Sequence, residues 1–502
     1  MKLPVARRSR GVVQLAVCIA AASSFSCATG RATAKEGPRM IPEAIGHPAP
    51  QVEEKAVLGA APVAPGVTAV VGGTLLLGTG KRIPDGTLVL RDGLIAAVGA
   101  RAEVEVPEGA RVVDAQGRFV TPGLIDTHSH MGVYASPGVA AHADGNEMTD
   151  PTTAYVFAEH AFWPQDPALD DAIAGGVTTV QILPGSGNVI GGRSTVLKLR
   201  PRREARAMRF PGAPFGLKMA CGENPKRVYG SKGRQPMSRM GSAYKLRQAF
   251  LQAKAYADKV RRYEQKRVAW AQRLERAKAD PAADGPGDEP VAPPRDLGAE
   301  TLAAVMAGEI RVHIHCYRAD EMLLMLALAD ELGYTVASFH HATEAYKIAD
   351  VLAARGVSAS IWSDWWGFKL EAYDAVEENA ALIQVAGGQP IIHSDSPIGV
   401  QRLNQDAAKA LHAGRRLGLN VTEDQAITWM TRNPAVALGI DDRTGTLEEG
   451  KMADIVIWDR LPLSIYARAD VVMVDGVVVH DRSKPRETKS DFDVGTSVEV
   501  LQ

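Results

Sequence analysis

Short apolar runs alternate with helical patterns through the middle of this chain, and that alternation constrains the fold more than any other feature. "VTTVQIL", "FGLKMA", "IRVHIH", "TVASFH", "VSASIW" and "QPIIHSD" are strand candidates. Most are followed by helical segments such as "ADEMLLMLALADELG" and "TEAYKIADVLAARG". Strand and helix in turn imply βα units with parallel strands. Their number suits a (β/α)8 TIM-type barrel better than an open sheet, although eight strands cannot be counted cleanly.

The two ends have a different texture. "TAVVGGTLLLGTG", "GTLVLRDGLIAAVG" and "ARVVDAQGRFV" read as short strands with turn signals at Asp85-Gly86 and Asp92-Gly93. "GTLEEGKMADIVIWD" and "VVMVDGVVVHDR" repeat the pattern near the other end, with Asp475-Gly476. These segments are expected to pair as one small β-sandwich from residues 66–120 and 440–490, beside a barrel from 121–439. A length of 502 residues accommodates both.

Residues 244–278 interrupt the alternation. Leu246, Phe250, Ala253, Ala257 and Val260 recur at helical spacing among many Lys and Arg residues, and a Pro/Asp/Gly loop follows. The reading is a solvated helical insertion, 236–300, whose apolar stripe packs on the barrel. A basic helix also invites a nucleic-acid or membrane reading. The chain as a whole carries 57 Lys+Arg against 58 Asp+Glu and offers no companion patch, so no nucleic-acid partner is expected.

The start reads as an export signal spanning 1–34: the cationic "MKLPVARRSR", then "GVVQLAVCIAAASSF", too short to span a bilayer comfortably. Cys27 in "SSFSC" is a candidate lipidation site, although Ser24 stands where that motif prefers Leu; "ATA" at 32–34 is the alternative cleavage site. Residues 35–65 read as a disordered tether. The expected location is periplasmic, or the outer membrane as a lipoprotein. Cys221 and Cys316 complete a count of four cysteines, too few for a disulfide scaffold, and each reads as a small buried hydrophobe.

The histidines give the chemistry. "VTPGLIDTHSHMGVY" ends an apolar run with His128 and His130, which at spacing i, i+2 share one strand face. His313 and His315 end "IRVHIH", His340 and His341 end "TVASFH", and His393 and Asp395 end "QPIIHSD". The βα loops of a barrel open at those strand ends, where catalytic groups sit. Converging neutral imidazoles and a carboxylate suit Zn²⁺ or a similar divalent metal. A single His-x-His arises by chance; several such strand ends at one level do not.

With "TPGLIDTHSH", "IIHSDSP" and "GTLEEGKMADIVIWD" in this order, the chain resembles the amidohydrolase superfamily, in its imidazolonepropionase-like, metal-dependent branch, from Val67 to Arg482 apart from the insertion. The resemblance implies a barrel flanked by a small β-sandwich. It implies metal ligands at His128 and His130 (strand one), His315 (strand five), His341 (strand six) and Asp395 (strand eight). In each tandem pair the match selects the second histidine, leaving His313 deeper and His340 structural.

Members with two metals bridge them through a carboxylated lysine. Lys218, mid-strand in "GLKMACGENPKRVYG", is the candidate, since a free ammonium is costly there; Glu223 is a rival ligand or a substrate contact. One or two ions are therefore expected, zinc the first choice. The implied reaction is hydrolysis of an amide, cyclic amide, or N-acyl or prolyl dipeptide bond by metal-activated water, with Asp395 as general base and His341 polarising the carbonyl. A ring deaminase on the same site and a catalytically silent binding scaffold are the alternatives. Arg318 is a candidate anchor for a substrate carboxylate. "LPGSGNVIGG" reads as a glycine-rich active-site loop, and Trp362, Trp365, Trp366 and Phe368 as a pocket wall or loop packing. Expected partners are a small-molecule substrate, the membrane through a lipid anchor if Cys27 is lipidated, and further copies of the chain.

Overall fold

The computed structural model describes residues 66–485 except 201 and 281. The export signal, Cys27, the alternative cleavage site and the tether lie outside the described residues. Among the described residues no helix is long and apolar enough to cross a membrane.

Eight strands form the central sheet: β1 (Leu124–Ser129), β2 (Val177–Ile182), β3 (Ile190–Lys198), β4 (Gly216–Ala220), β5 (Arg311–His315), β6 (Val336–His340), β7 (Ser358–Ile361) and β8 (Gln389–Ile392), paired in chain order. Every residue of β1, β2, β4 and β7 is buried, as expected of strands covered on both faces. Six of the eight match sequence-read strands, and the apolar run before His128 is β1. The strand that sequence reading missed is β3. It runs antiparallel to both β2 and β4 and is reached by a loop rather than a helix, so the strict (β/α)8 repeat is broken there. Gly191 and Gly192 disguise it: the register shifts between Ile190 and Gly192, and Gly192 has φ +123°.

The sheet's first and last strands meet at their C-terminal ends. Asp395 N–H donates to the His128 carbonyl at 3.0 Å. Asp126 accepts from the backbone N–H of Ser394 at 3.1 Å and from the Ser394 hydroxyl. Asp126 therefore latches β1 to the segment after β8, a role that its place in an apolar run does not reveal.

Both chain ends build a second eight-stranded sheet. Ile455–Trp458 pairs antiparallel with Phe119–Pro122, zipping the late segment to the early one. Val67–Leu76 pairs along its first half with Arg111–Asp114 and along its second with Phe119–Pro122. The change of partner falls at Gly72-Gly73, where a Cβ on Gly73 would approach Val120 to 2.9 Å. By hydrogen bonding this is one continuous mixed sheet where a sandwich was expected; Val70, Leu88, Ile95, Ile455 and Met473 share its apolar core. Asp92 and Asp475 occupy left-handed turns as their sequence suggests. Asp85 also has a positive φ, +45°, but Asp85-Gly86 lies within the strand Arg82–Arg91.

The insertion is a helix of 41 residues, Arg239–Ala279, capped by the Ser238 hydroxyl, which accepts from Gly241 N–H. Leu246, Phe250 and Ala253 of the expected stripe are buried, Phe250 stacking on Tyr334. Ala257 and Val260 are only half-buried. Beyond them the helix is lined by its own return segment, with Trp270 Nε1 donating to the Gly287 carbonyl and Arg273 to that of Pro286.

Candidate metal centre

Strand alternation puts Asp126, His128 and His130 on one side of β1 and its extension. His128 is fully buried. The Nε2 atoms of His128 and His130 are 3.2 Å apart, and Asp395 Oδ1 lies 3.5 Å from the first and 3.2 Å from the second. His341 Nε2 stands 3.8 Å from Asp395 Oδ2. Asp395 and His341 have φ +52° and +58°. Non-glycine residues pay about 1–3 kcal/mol for such conformations, which gather at functional sites. The reversal at His341 also breaks strand alternation. His340 was expected on the opposite face, away from the site, yet both rings join one buried histidine cluster.

The hydrogen bonds fix which nitrogen faces the centre. His130 Nδ1 is 2.8 Å from the Leu183 carbonyl. A carbonyl only accepts, so the proton sits on Nδ1 and the lone pair on Nε2. His393 Nδ1 donates likewise to the Ile361 carbonyl at 2.9 Å, leaving its Nε2 to accept from His341 Nδ1 at 2.8 Å. The His341 lone pair is thereby turned toward Asp395.

Among the described residues two trios have the spacing to hold a cation: His128 with His130 and Asp395, and His128 with His341 and His393. The second is the weaker, because His393 Nε2 is already spent on His341. In the first, His130 Nε2 and Asp395 Oδ1 are acceptors with no donor between them, and His128 Nε2 closes the triangle. That donor set fits a divalent first-row cation.

Lys218, on β4, is wholly buried, with Nζ 3.5 Å from His128 Nε2 and 3.1 Å from the Pro184 carbonyl. Burial pulls its pKa down to about 7 against the attraction of Asp395. Burial likewise holds His128, His315 and His341 well below the ordinary histidine range, the positive charge of Lys218 adding to it. These imidazoles are neutral at neutral pH, the state a ligand needs.

His315 joins the cluster with its ring 4.6 Å from that of His341. Its Nδ1 meets Ser186 Oγ at 2.8 Å and its Nε2 meets Asn224 Nδ2 at 3.3 Å. Two predicted residues are not brought to the centre. Arg318 is exposed and holds Asp320 through two bonds of 2.9 Å, because the carboxylate two residues on captures the guanidinium first. Glu223 starts the helix Glu223–Gly230 and pairs with Lys369 at 3.3 Å.

Sequence reading overlooked several residues here. Ser186, Leu183 and Pro184 belong to the β2–β3 loop, so the glycine-rich segment does serve the site. Asn146 packs against Gly185 and Gly187, where any Cβ would collide with it. His393 carried a usable signal, its i, i+2 relation to Asp395. Trp362 lies flat against His341 and His393, with ring centroids 4.5 and 4.7 Å away, and Trp365 stacks on Trp362 at 5.2 Å. Trp366 and Phe368 are 67% and 51% exposed. Cys221 and Cys316, expected to be separate buried thiols, form a disulfide. It ties the residue after β4 to the residue after His315.

An α/β fold thus gathers histidines and an aspartate at its strand ends, in a set that could hold a metal ion. The profile of the Amidohydrolase family matches residues 119–484. A solved amidohydrolase from Thermotoga maritima MSB8 is 33% identical, with a TM-score of 0.70, covering 83% of this chain and all of that one. Amidohydrolase tasK of Hapsidospora irregularis is 34% identical over 411 residues, 79% of this chain, which spans only 40% of that protein's length. Imidazolonepropionase of Mesorhizobium japonicum is 28% identical over 75% of this chain and 87% of its own. The chain belongs to the amidohydrolase family, hydrolases acting on carbon–nitrogen bonds other than peptide bonds, and its central sheet is that family's TIM-type barrel.

Proposed function

We propose that this chain hydrolyses the C–N bond of an amide, a cyclic amide, or an N-acyl or prolyl dipeptide at a divalent metal site, zinc being the first choice. The observation that carries the reading is the triangle of His128 Nε2, His130 Nε2 and Asp395 Oδ1, 3.2–3.5 Å on a side. His128, His130 and Asp395 would hold one ion; His315 and His341 would hold a second. Lys218, converted by CO₂ to a carbamate, would bridge them. Its depressed pKa favours that conversion, since the free amine is the form that reacts.

A divalent cation supplies a water acidified enough to attack at neutral pH and an electrophile for the carbonyl oxygen. The protein's own groups do the rest. Asp395 takes the proton from the attacking water and returns it to the departing nitrogen. His341, held by His393, presents Nε2 toward the scissile carbonyl. Trp362 and Trp365 wall one side of the site.

Export is part of the proposal. The Cys221–Cys316 disulfide supports it, because such bonds persist in oxidising compartments. The terminal sheet is proposed to curl into the family's small sandwich.

The test uses the full chain stripped with chelator, reloaded with zinc, and offered N-acyl amino acids, dipeptides and cyclic amides. Hydrolysis should return with zinc and fall by at least about 100-fold in Asp395→Asn. An undiminished rate in that variant removes the proposed base.

A further inference from the structure

Behind His128 stand two more buried histidines, and their hydrogen bonds form a chain. His128 Nδ1 lies 2.9 Å from His340 Nδ1, and His340 Nε2 lies 2.9 Å from His313 Nδ1. All three rings are buried. Each neutral ring carries one proton, and each of the two contacts needs one. The chain is therefore directional, with two self-consistent arrangements.

In the first, His128 Nδ1–H donates to His340 Nδ1 and His340 Nε2–H donates to His313 Nδ1. The lone pair of His128 Nε2 then faces His130 and Asp395. In the second, every bond runs the other way, and His128 Nε2 carries a proton directed into the centre, where it would block a cation.

A cation at His128 Nε2 admits only the first. In the first arrangement His313 keeps a proton on Nε2, which needs an acceptor. The space above Gly216 is lined by both His313 Cδ2 and the Gln181 amide, each within about 3 Å of where a Cβ would stand. Gln181 Nε2 donates to Ser194, and Gln181 Oε1 is buried with no partner. The Gln181 side chain, a neighbour of the His313 ring, thus keeps an unspent amide oxygen.

We infer that His340 and His313 are positioning residues that hold His128 in its Nδ1–H tautomer, so that Nε2 can bind the cation. The inference rests on the metal-site reading above and extends it to two residues that touch neither cation nor substrate. Outer partners of this kind are worth about 10- to 100-fold in metal affinity.

Two measurements test it on the full chain. Zinc affinity is determined by chelator competition for the wild type, His340→Phe and His340→Gln. The Phe ring fills the space without nitrogen; the Gln amide can accept from His128 and donate to His313. His340→Phe should bind zinc about 10- to 100-fold more weakly, and His340→Gln should recover much of the loss. Equal binding by all three overturns the inference while leaving the metal site standing; no binding by the wild type overturns the metal site itself. The second measurement needs no folded variant. Histidine-selective ¹⁵N spectra of the zinc-loaded wild type should show His340 protonated at Nε2 and bare at Nδ1. The opposite tautomer overturns the inference.

Discussion

Asp126 and Ser394, 268 residues apart, are joined twice, by the backbone N–H and by the hydroxyl of Ser394. Burial pushes Asp126 up to about 7, while the bonds from Ser394 and His128 pull the other way. The pair closes the central sheet at the level where His128 and Asp395 stand. Ser394→Ala leaves a buried carboxyl short of a donor and should lower stability by about 1–3 kcal/mol, read by denaturant unfolding. Ser394→Thr, which keeps the hydroxyl, should lose less. Equal stability of Ser394→Ala and wild type would show that the latch is idle.

Asp406 gives a pH dependence away from the metal centre. It is partly buried beside Ser363, whose N–H it accepts at 3.1 Å, and loss of solvent around the carboxyl raises its pKa from 3.8 to about 7. A carboxyl raised on folding binds its proton more tightly in the native state. Its favourable contribution is complete below pH of about 4 and is lost as the pH climbs through about 7. The expected loss is of order 4 kcal/mol across that window. Unfolding of Asp406→Asn between pH 4 and 8 should show a shallower decline than the wild type; identical slopes would contradict the assignment.

The stacked Trp362 and Trp365 lead from His341 outward, and Trp365 is 42% exposed. A flat or apolar substituent on the substrate would extend that stack. Trp365→Ala should raise KM about 3- to 10-fold for aromatic N-acyl substrates and leave kcat nearly unchanged. An equal change for small aliphatic substrates would mean that the indole supports the loop and does not contact substrate.

The parts legible in the sequence were those that repeat or that pair locally. His128 and His130 announce themselves because alternation on one strand places both rings together. The barrel strands were readable wherever an apolar run met a helix. β3 was not, because Gly191-Gly192 imitates a loop and no helix precedes the strand. The joining of Cys221 to Cys316 depends on β4 lying beside β5, a neighbour relation that two isolated cysteines do not encode. Arg318 failed as an anchor for a local reason, Asp320 standing two residues away. His340 shows the limit of strand alternation: the positive φ of the next residue, His341, draws both rings into one cluster.

Zinc stoichiometry of chelator-stripped protein, measured by titration calorimetry and elemental analysis, tests the metal centre most directly. The wild type should take up about two equivalents, and Lys218→Ala and the double variant His130→Ala/Asp395→Ala about one at most at the same concentration. Wild-type protein that binds no zinc, or a double variant that binds as much as wild type, would contradict a cation held between His128, His130 and Asp395.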